Sequence, residues 1–449
     1  MIRHLKYLLK SKLFVALILL LSNNYGQETS TISIESSLKI AGANNLTISK
    51  LNLNKTVLEA DLLISKGWWI PEIFAGIQTR QLRGAAMNGN GSFFTEVNQQ
   101  NLWNGVGIDA LWNIGEGIYK TKASEFKLQA NTYKTNAEKN IVLLEVADTY
   151  YQLLIGFLKV NAYHQLHTLA SNISQQLALQ VGVGLAYESE LLLAQSNVHH
   201  LKIQELNHQK YYYKKSAQLS RLLNLNPFIN LIPMDTILKP IELVNIDSLE
   251  NLDSLGNNRA EIQQAELLLK SVSEEKLTTN KAFFIPNVRL NSFASLYGGL
   301  SGPVSLMPSS PGSEIKQLYP TSSLNFSLQW KIPIEKLIYN GPTKKMEAIE
   351  QIKELEIKEI KAAINQDIAT AKQNILIGNQ QTKLANKAYL QSKEAFNQCA
   401  KRQELGTIRP FELLKAQEIF IQSKLDYIEA IANYNTAQYA FQVASGINL

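Results

Sequence analysis

Apolar and polar positions in this chain follow two different periods, and the period switches twice. Residues 33–66 repeat with helical spacing, and so do residues 256–282. Each of these stretches ends at a proline, Pro71 and Pro286, which stops a helix and admits extended chain. Beyond Pro286 the period becomes two: Val288, Leu290, Ala294 and Leu296 point one way, and Asn287, Arg289, Asn291 and Ser295 the other. Beyond Pro320 the alternation is cleaner, with Leu324, Phe326, Leu328, Trp330 and Ile332 opposing Asn325, Ser327, Gln329 and Lys331. In the first half, Leu102, Val106, Ile108, Ala110 and Trp112 oppose Gly105, Gly107 and Asp109. The pattern predicts strands over about 71–83, 101–113, 286–297 and 321–333, with 71–83 alternating least regularly. Between the members of each pair lie turn-rich loops, Gly84–Gln100 with Asn88-Gly89-Asn90-Gly91, and Gly298–Tyr319 with Gly302-Pro303 and Pro311-Gly312.

The rest of the chain reads as very long helix. No proline occurs from Glu116 to Asn224. Leu143, Val146, Tyr150, Leu153 and Phe157 step by three and four, and Ile141, Leu144, Tyr151, Ile155 and Leu158 make a second stripe. Ile357, Ile360, Ile364, Ile368, Ala371 and Ile375 repeat the pattern later. Two stripes require neighbours on both sides. A helix from Glu116 to Gly182 would be roughly 100 Å long, beyond the needs of a compact domain. Gly182–Gly184 and Gly406–Pro410 are the predicted reversals.

The chain also repeats itself. Lys66-Gly67-Trp68-Trp69-Ile70-Pro71 matches Lys281-Ala282-Phe283-Phe284-Ile285-Pro286 in kind. The stretch from Val183-Gly184-Leu185 to Ala194-Gln195 matches Leu405-Gly406-Thr407 to Ala416-Gln417, sharing Gly, Glu, Leu-Leu and Ala-Gln. Two ordered matches at nearly the same offset predict two structural repeats. They are residues 27–224, with a hairpin tip near 182–190, and 257–449, with a tip near 405–412. Residues 225–256, carrying Asn226-Pro227, Ile232-Pro233 and Lys239-Pro240, read as an irregular join.

The N-terminus is a separate signal. Arg3, Lys6, Lys10 and Lys12 precede the apolar run Leu13–Leu21, and a small, polar segment follows from Ser22 to Gln27. This is the layout of a cleaved secretory signal peptide over residues 1–26, with cleavage near Gly26–Gln27. A short uncleaved anchor is the competing reading, but nine apolar residues are too few to span a bilayer. No cysteine stands near the junction to take a lipid, and no later run of 18 or more apolar residues predicts a membrane helix.

Charge and chemistry exclude more than they propose. The 449 residues hold 44 Lys plus Arg against 38 Asp plus Glu, and removing the four basic leader residues leaves 40 against 38. So even a balance does not suit a nucleic-acid binder. One cysteine, Cys399, forms neither an internal disulfide nor a Cys-based metal site. His164 with His167, and His199-His200, read as solvated helix surface rather than metal ligands. Tyr211-Tyr212-Tyr213-Lys214-Lys215 reads as helix packing with snorkelling lysines. No phosphate-binding glycine loop, nucleophile set or acid–base pair emerges, so no catalytic residue, cofactor or metal is assigned and an enzyme is not expected.

Four strands cannot close a membrane barrel, and an open sheet in lipid leaves edge groups unpaired at several kcal/mol each. Either the sheet is water-soluble or several chains pool their strands, and three chains would supply twelve. At this point the chain resembles the TolC-like outer-membrane efflux family over nearly all of the mature sequence. The resemblance rests on Ile70-Pro71 and Ile285-Pro286 at helix-to-strand joints, Val183-Gly184-Leu185 with Glu190, Leu405-Gly406-Thr407 with Glu412, and Ala416-Gln417 before a long amphipathic helix.

The resemblance implies a mainly α fold with a membrane β-barrel part. Long antiparallel helical hairpins would form an α-barrel tunnel, and four strands per chain would enter a 12-stranded trimeric barrel. It implies a homotrimer in the outer membrane, contacting outer-membrane lipid, with a helical extension across the periplasm. Its partners would be a periplasmic adaptor (a membrane fusion protein) and an inner-membrane pump or ATP-driven exporter; no nucleic acid is involved. Residues placed at the periplasmic tip, gate and adaptor contact are Val183, Gly184, Leu185, Tyr187, Glu190, Leu405, Gly406, Thr407, Arg409 and Glu412. The chain departs from the family pattern at Ile408, where a tip arginine is usual and Arg409 is the neighbour. It departs again at Trp112-Asn113-Ile114-Gly115 and Leu337-Ile338-Tyr339-Asn340-Gly341, where Phe-Gly-Gly is usual. Glu190 and Glu412 also suit the positive end of a helix dipole, a role that needs no gate. The expected function is a passive exit duct of a tripartite efflux or type I secretion system. The alternative is an adaptor-like helical-hairpin protein that links transport components without forming a pore.

Overall fold

The computed structural model describes residues 29–87, 91, 93–235, 238–243, 256–301, 303–304, 313–314, 318–334 and 338–447. The leader expected over 1–26 lies outside the described residues, as do Asn88-Gly89-Asn90, Gly302 and Pro311-Gly312 of the two loops.

Both sequence repeats run through the same order of elements. The first holds β1 (Thr29–Ile32), α1 (Ile34–Asn44), α2 (Leu46–Lys66), a 3₁₀ turn Gly67–Trp69, β2 (Glu72–Met87), β3 (Phe93–Trp112), α3 (Ile114–Gly182) and α4 (Glu188–Leu222). The strand β4 (Asn230–Pro233) follows. The second repeat holds α5 (Ala260–Asn280), a 3₁₀ turn Ala282–Phe284, β5 (Asn287–Ser301), the short pair β6 (Pro303–Val304) and β7 (Ser313–Glu314), β8 (Leu318–Gln329), α6 (Gly341–Glu404) and α7 (Pro410–Ala444). The repeats are units of sequence, whereas compactness divides the chain otherwise. One unit is Met1–Asn52, Thr135–Ala260 and Ile360–Leu449; the other is Leu53–Lys134 and Glu261–Glu359.

Four boundaries depart from the sequence reading. The helical stretch 33–66 is two helices, because Asn45 stops the first and caps the second. Its Oδ1 accepts from the Thr47 N–H at 2.8 Å, and its Nδ2 donates to the Leu222 carbonyl at 2.7 Å. The strands β2, β3 and β5 run well into the segments expected as loops. A bulge opposite Gly84 (φ +107°), where Thr95 and Glu96 (φ +68°) of β3 face Ala85 alone, shifts the β2–β3 register and lets pairing continue to Met87↔Phe93. The last strand ends at Gln329, although alternation persists through Trp330 and Ile332. The join is not wholly irregular, since β4 pairs in parallel with β1 from Thr29↔Asn230 to Ile32↔Pro233.

The sheet unit is a four-stranded antiparallel meander in the order β2-β3-β5-β8. Its two helix-to-strand joints are built alike. Ile70 N–H donates to Gly67 O at 2.9 Å, and Ile285 N–H to Ala282 O at 3.1 Å. Both residues then turn extended, at ψ 126° and 125°, because the following proline excludes helix there. Gly115 starts α3 against the second joint, where an added Cβ would sit 2.8 Å from the Ala282 carbonyl oxygen.

The helical unit holds the main core. Val146, Tyr150, Leu153 and Leu154 of α3, Leu219 and Leu223 of α4 and its C-terminal turn, and Leu231 of β4 are fully buried. Tyr150 donates to Asp235 Oδ2 at 2.5 Å and Tyr212 donates to the Leu231 carbonyl at 2.8 Å, so the join is tied to the helices. Asn435 of α7 holds it from another side, accepting from Ile241 N–H and donating to the Lys239 carbonyl, both at 2.9 Å. Burial pushes the Tyr212 phenol up to about 12. It raises Tyr150 and Tyr151 further, with Asp235 adding to the effect at Tyr150. Part of α3 is long and apolar enough to cross a membrane by composition, but most of that stretch is buried within the chain. Of the predicted stripes, Leu143, Val146, Tyr150, Tyr151 and Ile155 are buried, whereas Ile141 is exposed. In α6, Ile364, Ile368, Ala371 and Ile375 are buried as one face.

Candidate functional site

Two places concentrate what the core does not explain: the faces of the sheet and the tips of the helical hairpins. In the sheet, register decides which side chains share a face. Ile73, Ala75 and Ile77 of β2 lie beside Ile108, Val106 and Asn104 of β3. These align with Ser292, Ala294 and Leu296 of β5, and then with Leu324, Ser322 and Pro320 of β8. Leu290 and Phe326 extend the same surface. This face is overwhelmingly apolar and uncovered: Ile73 is 79% exposed, Leu324 72% and Val106 55%, the last on an inner strand. A shallow dish of about 600 Å³ runs across it between Ala75, Val106 and Leu296. In water such a continuous surface would be covered by another layer. The helices that follow the strands in sequence supply no such cover.

The opposite face is polar. Its lowest row to span all four strands is Glu72, Asp109, Asn291 and Asn325, read across from β2 to β8. Asp109 accepts from Arg289 Nη2 at 3.3 Å and Asn291 Nδ2 at 3.4 Å. Above that row, three rings cluster among glycines. Phe74 covers Gly107, Trp103 stacks on Phe74 with centroids 6.4 Å apart, and Phe293 meets Trp103 edge-on at 6.2 Å. The ring cluster was not expected from sequence, yet its signal is there: Gly76, Gly105 and Gly107 sit at two-residue spacing on paired strands.

The tips are built by one local device used twice. At the end of α3, Gly184 (φ +78°) donates to Val181 O at 3.0 Å and Leu185 N–H donates to Gln180 O at 2.8 Å. At the end of α6, Gly406 (φ +66°) donates to Gln403 O at 3.0 Å and Thr407 N–H donates to Arg402 O at 2.9 Å. Both are Schellman closures, and each needs a left-handed residue that glycine adopts without strain. Glu190 then reaches back to the Tyr187 N–H at 3.4 Å, capping α4 from its first turn. Arg409 is the N-cap of α7 and Pro410 its first residue, a position where a missing N–H costs nothing. Glu412 lies in the same first turn and lines a groove of about 340 Å³ with Ser392, Lys415 and Ile419.

The two tips pack together: Leu413 is buried with Ile173, Leu177 and Ala194, against Phe396 and Cys399. Ile408, which stands where a tip arginine was expected, is buried, so its role in this chain is packing. Val183, Leu185, Tyr187 and Leu405 are each at least 70% exposed, leaving an apolar tip. Among the described residues, Glu190, Arg409 and Glu412 enter no ion pair within the chain. Pro71 and Pro286 lie at the sheet joints, apart from the tips in the sequence and in different elements.

The histidine pairs are dispersed. His164 Nδ1 lies 3.4 Å from Glu205 Oε1, and His208 stacks on Tyr163. Among the described residues, no group of three or more His, Cys, Asp or Glu gathers to hold a metal.

No protein-family profile matches the sequence, and no curated protein matches it. Solved structures do. The CmeC outer membrane channel of Campylobacter jejuni superposes with a TM-score of 0.76 at 15% identity, covering 92% of this chain and 85% of that one. The outer membrane protein VceC of Vibrio cholerae gives 0.73 at 13% identity, with 92% and 96% covered. A membrane protein of Pseudomonas aeruginosa gives 0.76 at 16% identity, with 92% and 93% covered. The chain has the TolC-like outer-membrane channel fold. The TolC-like fold explains the pairing of a four-stranded meander with helices of 69 and 64 residues, a combination that the repeat pattern and the two periods required. It also matches nearly the full length of its neighbours, so the sheet and both hairpins belong to the shared architecture.

Proposed function

We propose that identical copies of this chain pool their sheets into a closed barrel in the outer membrane and act as a passive exit duct. The observation that carries this reading is the uncovered apolar face of a sheet with two free edges. An even number of strands leaves β2 and β8 as antiparallel edges, so a second copy joins β8 to β2 and continues the alternation. Strands of 12 to 20 residues exceed the roughly 10 needed to cross a bilayer. Closure satisfies every edge N–H and C=O, and three copies reach the twelve strands of a barrel with a water-filled bore. The apolar face then meets lipid and the Asp109 face meets water. An adaptor-like soluble sheet would instead have to bury Ile73, Val106 and Leu324.

The helical hairpins would supply the periplasmic conduit, with their tips as gate and docking surface. Val183, Gly184, Leu185 and Tyr187, with Leu405, Gly406, Thr407 and Arg409, would meet a periplasmic adaptor serving an inner-membrane pump or ATP-driven exporter. The shared fold with proteins described as outer membrane channels supports this assignment, and a cleaved leader at 1–26 would direct export. Since Glu190 and Glu412 enter no ion pair among the described residues, any gating bridge from either would run between copies.

The test is cysteine cross-linking across the free edges, in a Cys399→Ser background. Ala75→Cys on β2 is combined in turn with Ser322→Cys, Leu324→Cys and Phe326→Cys on β8. Within one chain these strands are three spacings, or about 14 Å, apart, beyond the reach of a disulfide. Oxidised membranes should therefore yield covalent dimers and a trimer for at least one pair. Monomer alone for all three pairs overturns the reading.

A further inference from the structure

The ring cluster on the polar face of the sheet has no role in closing the barrel. Phe74, Trp103 and Phe293 stand on three different strands, all on the side opposite the apolar surface. Glycines leave the backbone beside them without side chains. At Gly107 an added Cβ would come within 2.7 Å of the Phe74 ring and of the Ser292 carbonyl oxygen, and at Gly105 within 2.6 Å of the Ala294 carbonyl oxygen. The Trp103 ring edge passes 3.8 Å from where a Cβ of Gly76 would be. All three rings are only half-buried, so each keeps part of its surface open to that side. Charge is divided along the strands. Two carboxylates, Glu72 and Asp109, stand one row below Phe74 with a single guanidinium, Arg289, bonded to Asp109; Arg80 stands one row above Trp103.

We propose that Phe74, Trp103 and Phe293 form a cargo-binding platform in the pore for planar aromatic molecules. This rests on the duct reading above, in which the polar face lines the bore and each copy presents one platform. A flat ring stacks on the part of the cluster that stays open to the bore. Charge does not select, because Glu72 and Asp109 at the lower end are balanced by Arg289 and by Arg80 one row from Trp103. An aliphatic ion gains none of the stacking. Rings that merely fill space on the pore side would show no such preference.

The experiment is single-channel recording of the full-length protein in planar bilayers, with added proflavine or tetrapropylammonium. Proflavine should block in a concentration-dependent manner, at least about tenfold more tightly than tetrapropylammonium. Trp103→Leu keeps apolar bulk and removes the stacking surface; it should weaken proflavine block about tenfold and leave tetrapropylammonium unchanged. Trp103→Phe should restore block to within about threefold of the parent. Phe293→Leu gives an independent variant should Trp103→Leu assemble poorly. Recovery of each variant as a heat-modifiable oligomer at the parent's level shows that the pore itself is assembled. Equal block by proflavine and tetrapropylammonium, or block that survives both leucine variants, overturns the platform while leaving the duct. Absence of any conducting species overturns both.

Discussion

Replacing Val106 by lysine separates a lipid-facing sheet from a water-facing one. Val106 sits on the inner strand β3, in register with Ala75 on one side and Ala294 on the other, and is 55% exposed. Small neighbours leave room for a lysine stem, so steric strain adds little. If that face met water, the change would cost no more than the difference in strand preference, within about 1 kcal/mol. In a bilayer, a lysine near the middle of the apolar band costs about 2–4 kcal/mol per chain, and a trimer incurs it three times, about 6–12 kcal/mol in all. Asn325→Lys on β8 is the control, because register places Asn325 with Asn291 and Asp109 on the opposite face. The assay is refolding from urea into phosphatidylcholine vesicles, with the folded fraction read from the heat-sensitive shift on a gel. Val106→Lys should move the urea midpoint sharply downward and Asn325→Lys should leave it nearly unchanged. Equal midpoints for the two variants refute the orientation of the sheet and the membrane role built on it.

Alkaline stability tests the core of the helical unit. Burial holds Tyr212 up to about 12 and Tyr150 and Tyr151 higher still, while in the unfolded chain all three ionise near 10.0. Above that lower value the unfolded state loses protons that the native state keeps, so stability should be level below about pH 10 and fall from there to about pH 12. Thermal melts followed together with phenolate absorbance check this, and Tyr150→Phe should flatten the fall; a decline that begins well below pH 9 to 10 would point to other groups. At the tips, Glu190→Gln together with Glu412→Gln should raise the conductance of the resting channel in planar bilayers. Unchanged conductance assigns both acids to helix-start stabilisation alone, worth about 0.3–1 kcal/mol each.

What the sequence determined by itself was the part governed by short-range physics. Period two against period 3.6 separated strands from helices, and Ile-Pro at both joints marked the switch, since proline excludes helix at the residue before it. Glycine at both tips marked the reversals because only a left-handed residue closes a helix in that way. The twofold repeat carried the order of elements. Where long-range contact decides, the sequence was silent or misleading. Asn45 looks like any helical asparagine until its amide meets the Leu222 carbonyl. The join reads as irregular because β4 exists only through pairing with β1, some 200 residues away. The strands outran their turn-rich ends because pairing with neighbours continues through Gly84 and Gly298 regardless of local propensity. Ile408 reads as a lost gate residue until packing buries it. The ring platform is the sharpest case. Alternation put Trp103 and Phe293 on a nominally polar side of two strands and left Phe74 unassigned, and cross-strand register, which no single strand encodes, brought the three together among glycines.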